Sequence, residues 1–322
     1  MKQIKRLTDQ ICNCFLMIIN ALISHIYWYY RDVRYSILNR GKEDLLNRLL
    51  VAGHVVEKGI TMPNRRYGFG KDVIRLLIMF CNKCIKQYGT EYNQLQLALD
   101  DLYEYRRIHI ENNYELPSDI LFGIENLMCY KITENISCKE YTIKEFFSEC
   151  NDFKDFAYSR HTSRYFSGGV DKDIIFKAVE LAKTAPSACN RQSIRVKVVS
   201  GNKKEELLNL QNGNRGFGDT IGQILLITSN QADWDYNFRT SAYLDGGIFT
   251  MNLLYALHYY KVCACTLNAH FSIKKQKKLR QITGLEKSEI PICLIAIGMP
   301  QANMMIAKSS RLDTENIITS CK

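Results

Sequence analysis

Apolar residues recur at helical spacing along the first part of the chain and at strand spacing along the second. From 43 to 150 the pattern is mostly helical. Leu45, Leu46, Leu49, Leu50 and Val56 share one face at the helical period of about 3.6 residues, as do Ile74, Leu77, Ile78 and Cys81, and in part Leu95, Leu97, Leu99 and Leu102. Past 150 the pattern changes. Short β-rich runs at 194–199, 223–229 (QILLITS), 262–268 (VCACTLN) and 292–300 (ICLIAIGMP) alternate with helical stretches at 171–184, 203–211, 241–260 and 272–283. This predicts a mostly α-helical region over 1–150 and a layered domain of helices and strands over 155–322. The boundary falls near 150–158, in a polar connection.

Residues 8–30 (TDQICNCFLMIINALISHIYWYY) stand apart. The 19 residues from Cys12 to Tyr30 carry no Asp, Glu, Lys or Arg, close to the length of a membrane span, and Lys2, Lys5, Arg6, Arg31 and Arg34 flank them. At about 100° per residue, however, Asp9, Asn13, Asn20, Ser24 and Arg31 fall on one narrow stripe, which a lipid-facing span does not keep without a partner. The pattern favours a buried or docking helix. A helix lying on a membrane surface and a span stay open behind it.

Composition narrows the class. The 322 residues are 46% hydrophobic and 24% charged, ordinary for a globular protein, with no repeat, Gly/Ser linker or low-complexity tract. The net charge of +10 favours acidic partners. The densest basic run, Lys274, Lys275, Lys277, Lys278 and Arg280, reads as the solvated face of a helix that buries Ile273, Leu279 and Ile282. No zinc-finger spacing or RNA-binding signature accompanies the charge, so nucleic acid is not expected. The 12 cysteines, with no cleavable leader evident, read as reduced thiols of a cytoplasmic protein. Cys81-x-x-Cys84 and Cys12-x-Cys14 lack further ligands at zinc spacing, and Cys81 lies in a helical pattern, so structural thiols are expected and no metal site.

His54, Glu57 and Lys58 share a helix face at i, i+3, i+4 just before Gly59, ahead of a basic, glycine-bearing loop (Arg65, Arg66, Gly68-Phe69-Gly70). A helix end with an ordinary ion pair is the simpler reading. A segment reaching a ligand or a neighbouring domain is the other.

Three stretches carry candidate chemistry. TAPSACNRQSIRVKVV, 184–199, gathers polar donors in a tight connection between a helix and a strand. SRHTSRYFSGG, 159–169, sets Arg160, Arg164 and the Thr162 hydroxyl within five residues, a donor set suited to a phosphate and an electron-rich carbonyl edge. AKSSRL, 307–312, adds Lys308 and Arg311.

In this order the stretches resemble the nitroreductase family of FMN-dependent oxidoreductases. Arg160-His161-Thr162-Ser163-Arg164-Tyr165-Phe166 matches its opening segment, and Ala185-Pro186-Ser187-Ala188-Cys189-Asn190-Arg191-Gln192 its Ala-Pro-Ser-x-x-Asn-x-Gln loop. Asp245-Gly246-Gly247 with Asn252-Leu253-Leu254-Tyr255-Ala256 matches its core helix, Ile295-Ala296-Ile297-Gly298-Met299-Pro300 its closing strand, and Lys308 and Arg311 its basic tail. The resemblance covers about 155–322. It implies an α+β fold, a three-layer mixed or antiparallel sheet flanked by helices, preceded here by the helical region. It implies FMN as cofactor, NADH or NADPH as reductant, and a small electron-poor acceptor of nitro, quinone or enone type. A homodimer with flavin sites shared across its interface also follows. Arg160 then takes the phosphate with Lys308 and Arg311, Thr162 the ribityl–phosphate region, and His161 lies in the same segment. Arg164 faces the N1/O2 edge of the ring. Pro186, Ser187, Ala188 and Asn190 reach the flavin across the interface, and Thr266 and Leu267 bring backbone near N5. No general acid or base is implied.

The chain departs from the family at Ser193-Ile194, where Pro-Trp is common, and at Lys261-Val262-Cys263, where Gly-Leu-Gly is frequent. It also has little room for the insertion by which larger members cover the flavin, so the N-terminal helical half, including the 54–70 loop, is expected to supply that cover or a partner surface. Two other readings remain. One is an accessory, membrane- or assembly-associated protein of bacterial surface-polysaccharide synthesis with a degenerate flavin domain. The other is a flavin-consuming or dehalogenating branch of the same fold.

Overall fold

A computed structural model describes residues 13–23, 25, 26, 30, 41–132, 137–147, 152–234 and 239–320. Of the 8–30 stretch, residues 13–23 are helical, while Asp9, Cys12, Ser24 and Arg31 lie outside the described residues, as do 150 and 151 of the boundary. Phe15, Leu16, Ile18, Leu22 and Ile23 are exposed, so the expected burial against the rest of the chain does not occur at these positions. No helix among the described residues is long and apolar enough to cross a membrane.

Four helices follow: α1 (Lys42–Ile60), α2 (Lys71–Tyr88), α3 (Asn93–Glu111) and α4 (Ser118–Met128). Each buries the stripe that its apolar period predicts. Leu49, Val56 and Ile60 of α1 meet Ile74 and Leu77 of α2, Leu95, Leu99 and Leu102 of α3, and Ile120 and Ile124 of α4 in one core. Cys81 and Cys84 are fully buried in that core, and desolvation pushes both thiols up, the state of packing groups rather than thiolate ligands.

The second part opens with the short helix α5 (Phe153–Ser159) and is built on four antiparallel strands in the order β2-β3-β5-β4: β2 (Ile194–Val199), β3 (Gln223–Asn230), β4 (Cys263–Asn268) and β5 (Glu289–Gly298). The two central strands are near-continuous apolar runs because both faces are covered. Ile224 and Leu226 of β3, with Leu294 and Ala296 of β5, face a cluster that includes α7 (Gly201–Leu210) and α9 (Ile273–Thr283). Their alternates Leu225, Ile227, Ile295 and Ile297 face α6 (Lys172–Ala182) and α8 (Arg239–Tyr259). The result is the expected three-layer arrangement of helices, sheet and helices. Helix α8 carries apolar residues on both its buried and its exposed faces. Phe249, Leu253 and Leu257 lie on the sheet, while Tyr243, Leu244, Ile248, Met251 and Tyr259 are exposed, beside exposed Phe176 and Leu181 of α6.

One strand was not anticipated. β1 (Cys138–Thr142), in the region read as helical, pairs antiparallel with β6 (Asn303–Ala307), just before the basic tail. A five-residue strand whose sequence is CKEYT carries no apolar alternation, so its pairing is set by tertiary context. The pairing ties the helical part to the C-terminal tail. At its end the Lys308 N–H donates to the Ser137 carbonyl at 2.9 Å.

Candidate functional site

Residues 160–168 form no helix or long strand, and backbone bonds hold them in place. The Ser163 N–H donates to the Ala264 carbonyl of β4 at 3.1 Å. The Ser167 N–H donates to the Met299 carbonyl at 2.8 Å, and the Met299 N–H to the Gly168 carbonyl at 3.1 Å. This close approach explains two glycines. A Cβ on Gly298 would stand 2.9 Å from both the Gly168 carbonyl and Phe166, and one on Gly222 only 2.5 Å from the same carbonyl. The closing-strand motif thus seats the arginine segment against the sheet.

The segment aims its two arginines at two charge clusters. In the first, Arg160 is half-buried, and its Nε is inaccessible and has no hydrogen-bond partner among the described residues. Burial, then the nearby Arg311, lowers its pKa, while Tyr255 opposes them. His161 Nδ1 lies 2.9 Å from the Ser159 carbonyl, and burial, with Arg160 and Arg311, favours its neutral form. His258 of α8 is 6% exposed, and its Nε2 lies 2.9 Å from Ser159 Oγ. Burial, then Arg160 and His161, pushes its pKa down to about 4. The Arg311 guanidinium donates to the Ser309 carbonyl. Glu57 of α1, 6% exposed, faces the same cluster: the Ser309 N–H donates to its Oε1 at 2.5 Å and Ser309 Oγ to its Oε2 at 3.2 Å. A cavity of about 300 Å³ beside it is lined by Glu57, Ser309 and Arg311 together with His54, Asp100 and Asp101, and neither Arg160 nor His161 lines it.

In the second cluster Arg164 is 7% exposed, its Nε is likewise buried without a partner among the described residues, and its guanidinium lies against the Cys265 thiol of β4. Lys58, the next residue of α1, reaches this cluster. Its Nζ donates to the Gly213 carbonyl at 3.0 Å and lies 5.9 Å from the centre of the Phe217 ring. Burial first, and then Arg164, lowers its pKa, against a smaller opposing effect of Cys265. Gly213 sits in a turn pinned by Gln211, whose Nε2 donates to the Asn268 carbonyl of β4 at 3.4 Å. Buried guanidinium atoms without acceptors are costly, and the donor set fits an anionic, electron-rich ligand.

A larger cleft of about 1140 Å³ lies on the helical bundle, lined by Arg65, Glu104, Arg107 and Glu111 among others. Arg107 lies 2.6 Å from Glu104 and 2.7 Å from Glu111, and Arg106 3.0 Å from Glu125, although the Nε atoms of Arg65 and Arg106 are also buried without a partner among the described residues. Carboxylates face Arg106 and Arg107 there, whereas none pairs with Arg160 or Arg164 among the described residues, so the two smaller clusters are the better candidate.

The structure thus brings Arg160, His161 and Arg311 together, and sets Arg164 in a neighbouring cluster. Thr162 is half-buried between them and Lys308 is exposed on the tail. The 186–190 loop hydrogen-bonds elsewhere. Ala188 N–H donates to Asp245 of α8 at 3.0 Å, and Gln192 N–H to Ser187 Oγ at 3.1 Å. Cys189, Asn190 and Gln192 all adopt positive φ, near +50°, in a loop whose Asn190 is exposed. Asn accepts this conformation readily, whereas Cys189 and Gln192 are held in it by the surrounding loop. Leu267 buries its side chain in the core while Thr266 is exposed on the edge strand. Sequence reasoning missed His258 and Ser309. It offered Glu57 and Lys58 first as an ordinary ion pair at a helix end and second as part of a segment reaching a ligand or a neighbouring domain, without assigning either residue to the site.

Residues 157–214 match the sequence model described as Nitroreductase family. No curated protein matches the chain. Among solved structures, a nitroreductase-like protein from Streptococcus mutans is similar at 20% identity, covering 53% of this chain and 99% of that one, with a TM-score of 0.47. A nitroreductase family protein from Streptococcus pneumoniae matches at 20% identity over 53% of this chain and 100% of that one, with a TM-score of 0.45. An FMN-dependent nitroreductase from Clostridium difficile matches at 20% identity over 45% and 86%, with a TM-score of 0.39.

Proposed function

We propose that this chain, whose residues 157–214 form a nitroreductase-family segment, is an FMN-dependent oxidoreductase. It takes reducing equivalents from NADH or NADPH and passes them to a small electron-poor acceptor of nitro, quinone or enone type. The observation that carries the reading is the pair Arg160 and Arg164 inside the matched segment, whose buried Nε atoms lack partners among the described residues and which no carboxylate there pairs with. When bound, FMN supplies hydride acceptance and donation. Arg160 and Arg311, with Lys308 on the same tail, offset the phosphate dianion, and Thr162 adds a hydroxyl donor. Arg164 offers a cation to the electron-rich ring edge and so favours the anionic reduced form. His161 and His258 stay neutral beside Arg160, so they add no further repulsion to a pocket that already holds two guanidiniums.

The exposed apolar face of α8 and α6 supports a homodimer, since a patch of this kind marks an interaction surface. The strained 186–190 loop, anchored to α8 through Asp245, then reaches the partner's flavin with Pro186, Ser187, Ala188 and Asn190. One observation favours a second reading. Glu57 puts a carboxylate on Ser309 among the cations that a phosphate needs, as a domain that had lost its flavin would tolerate. Titrating FMN into the full-length protein, followed by anaerobic NADH or NADPH, separates the two. Tight uptake and bleaching of the flavin support the oxidoreductase. Absence of uptake at high micromolar FMN supports the degenerate domain.

A further inference from the structure

Helix α1 ends at the candidate site with two consecutive charged residues turned to its two clusters. Glu57 holds Ser309 at the Arg160–Arg311 cluster, and Lys58 enters the Arg164 cluster. The Lys58 ammonium is fixed there by geometry. Its Nζ donates to the Gly213 carbonyl at 3.0 Å and lies 5.9 Å from the Phe217 ring centre. The Gly213 turn is joined to the end of β4 through Gln211 and Asn268. Arg164 meets the same strand at Cys265, and its segment is bonded to β4 through the neighbouring Ser163 N–H and the Ala264 carbonyl. One carbonyl satisfies a single one of the three donors of Lys58, and the Arg164 Nε has no acceptor among the described residues. Two cations therefore converge on one strand end, one of them 7% exposed, with donors left over. Their mutual repulsion costs free energy unless an anionic or electron-rich group lies against both.

We propose that Lys58, a residue of the N-terminal helical region, is a direct ligand of the same flavin, meeting the electron-rich edge of the ring beside Arg164. The inference rests on the flavin reading above and extends it. The helical region then supplies a binding group as well as cover, and the pocket draws on both parts of the chain. Because Lys58 meets the ring and not the phosphate, it acts equally on FMN and riboflavin. A second cation at that edge also favours the reduced, anionic ring.

The test uses the full-length protein and three variants: Lys58→Met, which keeps an unbranched stem over Phe217, Lys58→Arg, which keeps the charge, and Lys203→Met, which removes one exposed charge from α7. FMN and riboflavin are titrated by fluorescence quenching, and the reduction potential of the bound flavin is measured by dye equilibration. Loss of a charge-assisted hydrogen bond weakens binding by about tenfold or more. Lys58→Met is expected to weaken FMN and riboflavin by the same factor of that size and to make the bound flavin harder to reduce. Lys58→Arg should stay near wild type, and Lys203→Met should change neither. Unchanged affinity and potential in Lys58→Met, or a loss confined to FMN, overturns the assignment while leaving the flavin reading intact. A wild-type protein that takes up neither flavin overturns both.

Discussion

Replacing His258 with glutamine should flatten the dependence of stability on pH. In the folded chain this histidine is 6% exposed, packed against the rings of Phe146, Phe147 and Phe156, and near Arg160 and His161. Burial above all moves its pKa from 6.5 down to about 4. The unfolded chain therefore binds a proton that the folded chain refuses. Above pH 7 both states are neutral and nothing is lost. Below 6.5 the unfolded state gains protons first, so stability falls with pH and levels off below about 4. At pH 5 the ratio of the two protonation factors is about thirtyfold, or about 2 kcal/mol, and the full effect at lower pH is about 3 kcal/mol. His109 and His161, whose neutral forms burial also favours, add slope of the same sign in both proteins and cancel in the comparison. The assay is urea unfolding of wild type and His258→Gln at pH 7.5, 6 and 5. Glutamine can still reach Ser159 Oγ, so the variant is expected to be less stable than wild type at pH 7.5 but to lose about 2 kcal/mol less on going to pH 5. Identical slopes in the two proteins would refute the account of a buried neutral imidazole beside Arg160.

Three further outcomes follow from the geometry. Gly298→Ala forces a Cβ to within 2.9 Å of Phe166 and the Gly168 carbonyl, and should cost about 1–3 kcal/mol of stability in the same unfolding assay, whereas a neutral substitution would mean that the arginine segment does not seat there. Glu57→Gln keeps an acceptor for Ser309 but removes a negative charge from the Arg160–Arg311 cluster. It should tighten FMN severalfold and leave riboflavin unchanged, and equal effects on both would contradict the placement of the phosphate. Leu244→Glu puts a charge into the exposed apolar face of α8, and by light scattering it should convert a dimer to a monomer. A wild type that is already monomeric removes that face as a dimer interface.

Much of the architecture can be read from the chain because apolar period and burial coincide. Leu225, Leu226, Ile227, Ile295, Ala296 and Ile297 sit on strands covered on both faces, so an unbroken apolar run is their natural pattern. The bundle helices carry a clear stripe for the same reason. β1 was hidden because CKEYT, with little to bury, is held by pairing to β6. The site was legible where adjacent residues carry its chemistry, as in Arg160 and Arg164. It was not legible where the contributing groups lie far apart in the chain. Glu57 meets Ser309 across 252 positions and Lys58 meets Gly213 across 155, separations that no local pattern encodes. His258 was hidden for a different reason, since a histidine among aromatic residues near the end of a helix looks like any core position until Arg160 is seen beside it.

The central claim is that the buried guanidinium of Arg164 is held for a flavin. The most direct measurement is a fluorescence-quench titration of FMN into the full-length wild type and the Arg164→Met variant at one ionic strength, with unfolding curves to verify that both are folded. The account predicts saturable binding by the wild type and a loss of about a hundredfold in the variant, as removal of a buried charge-assisted donor implies. Equal affinity in two folded proteins, or a wild type that FMN does not saturate, contradicts it.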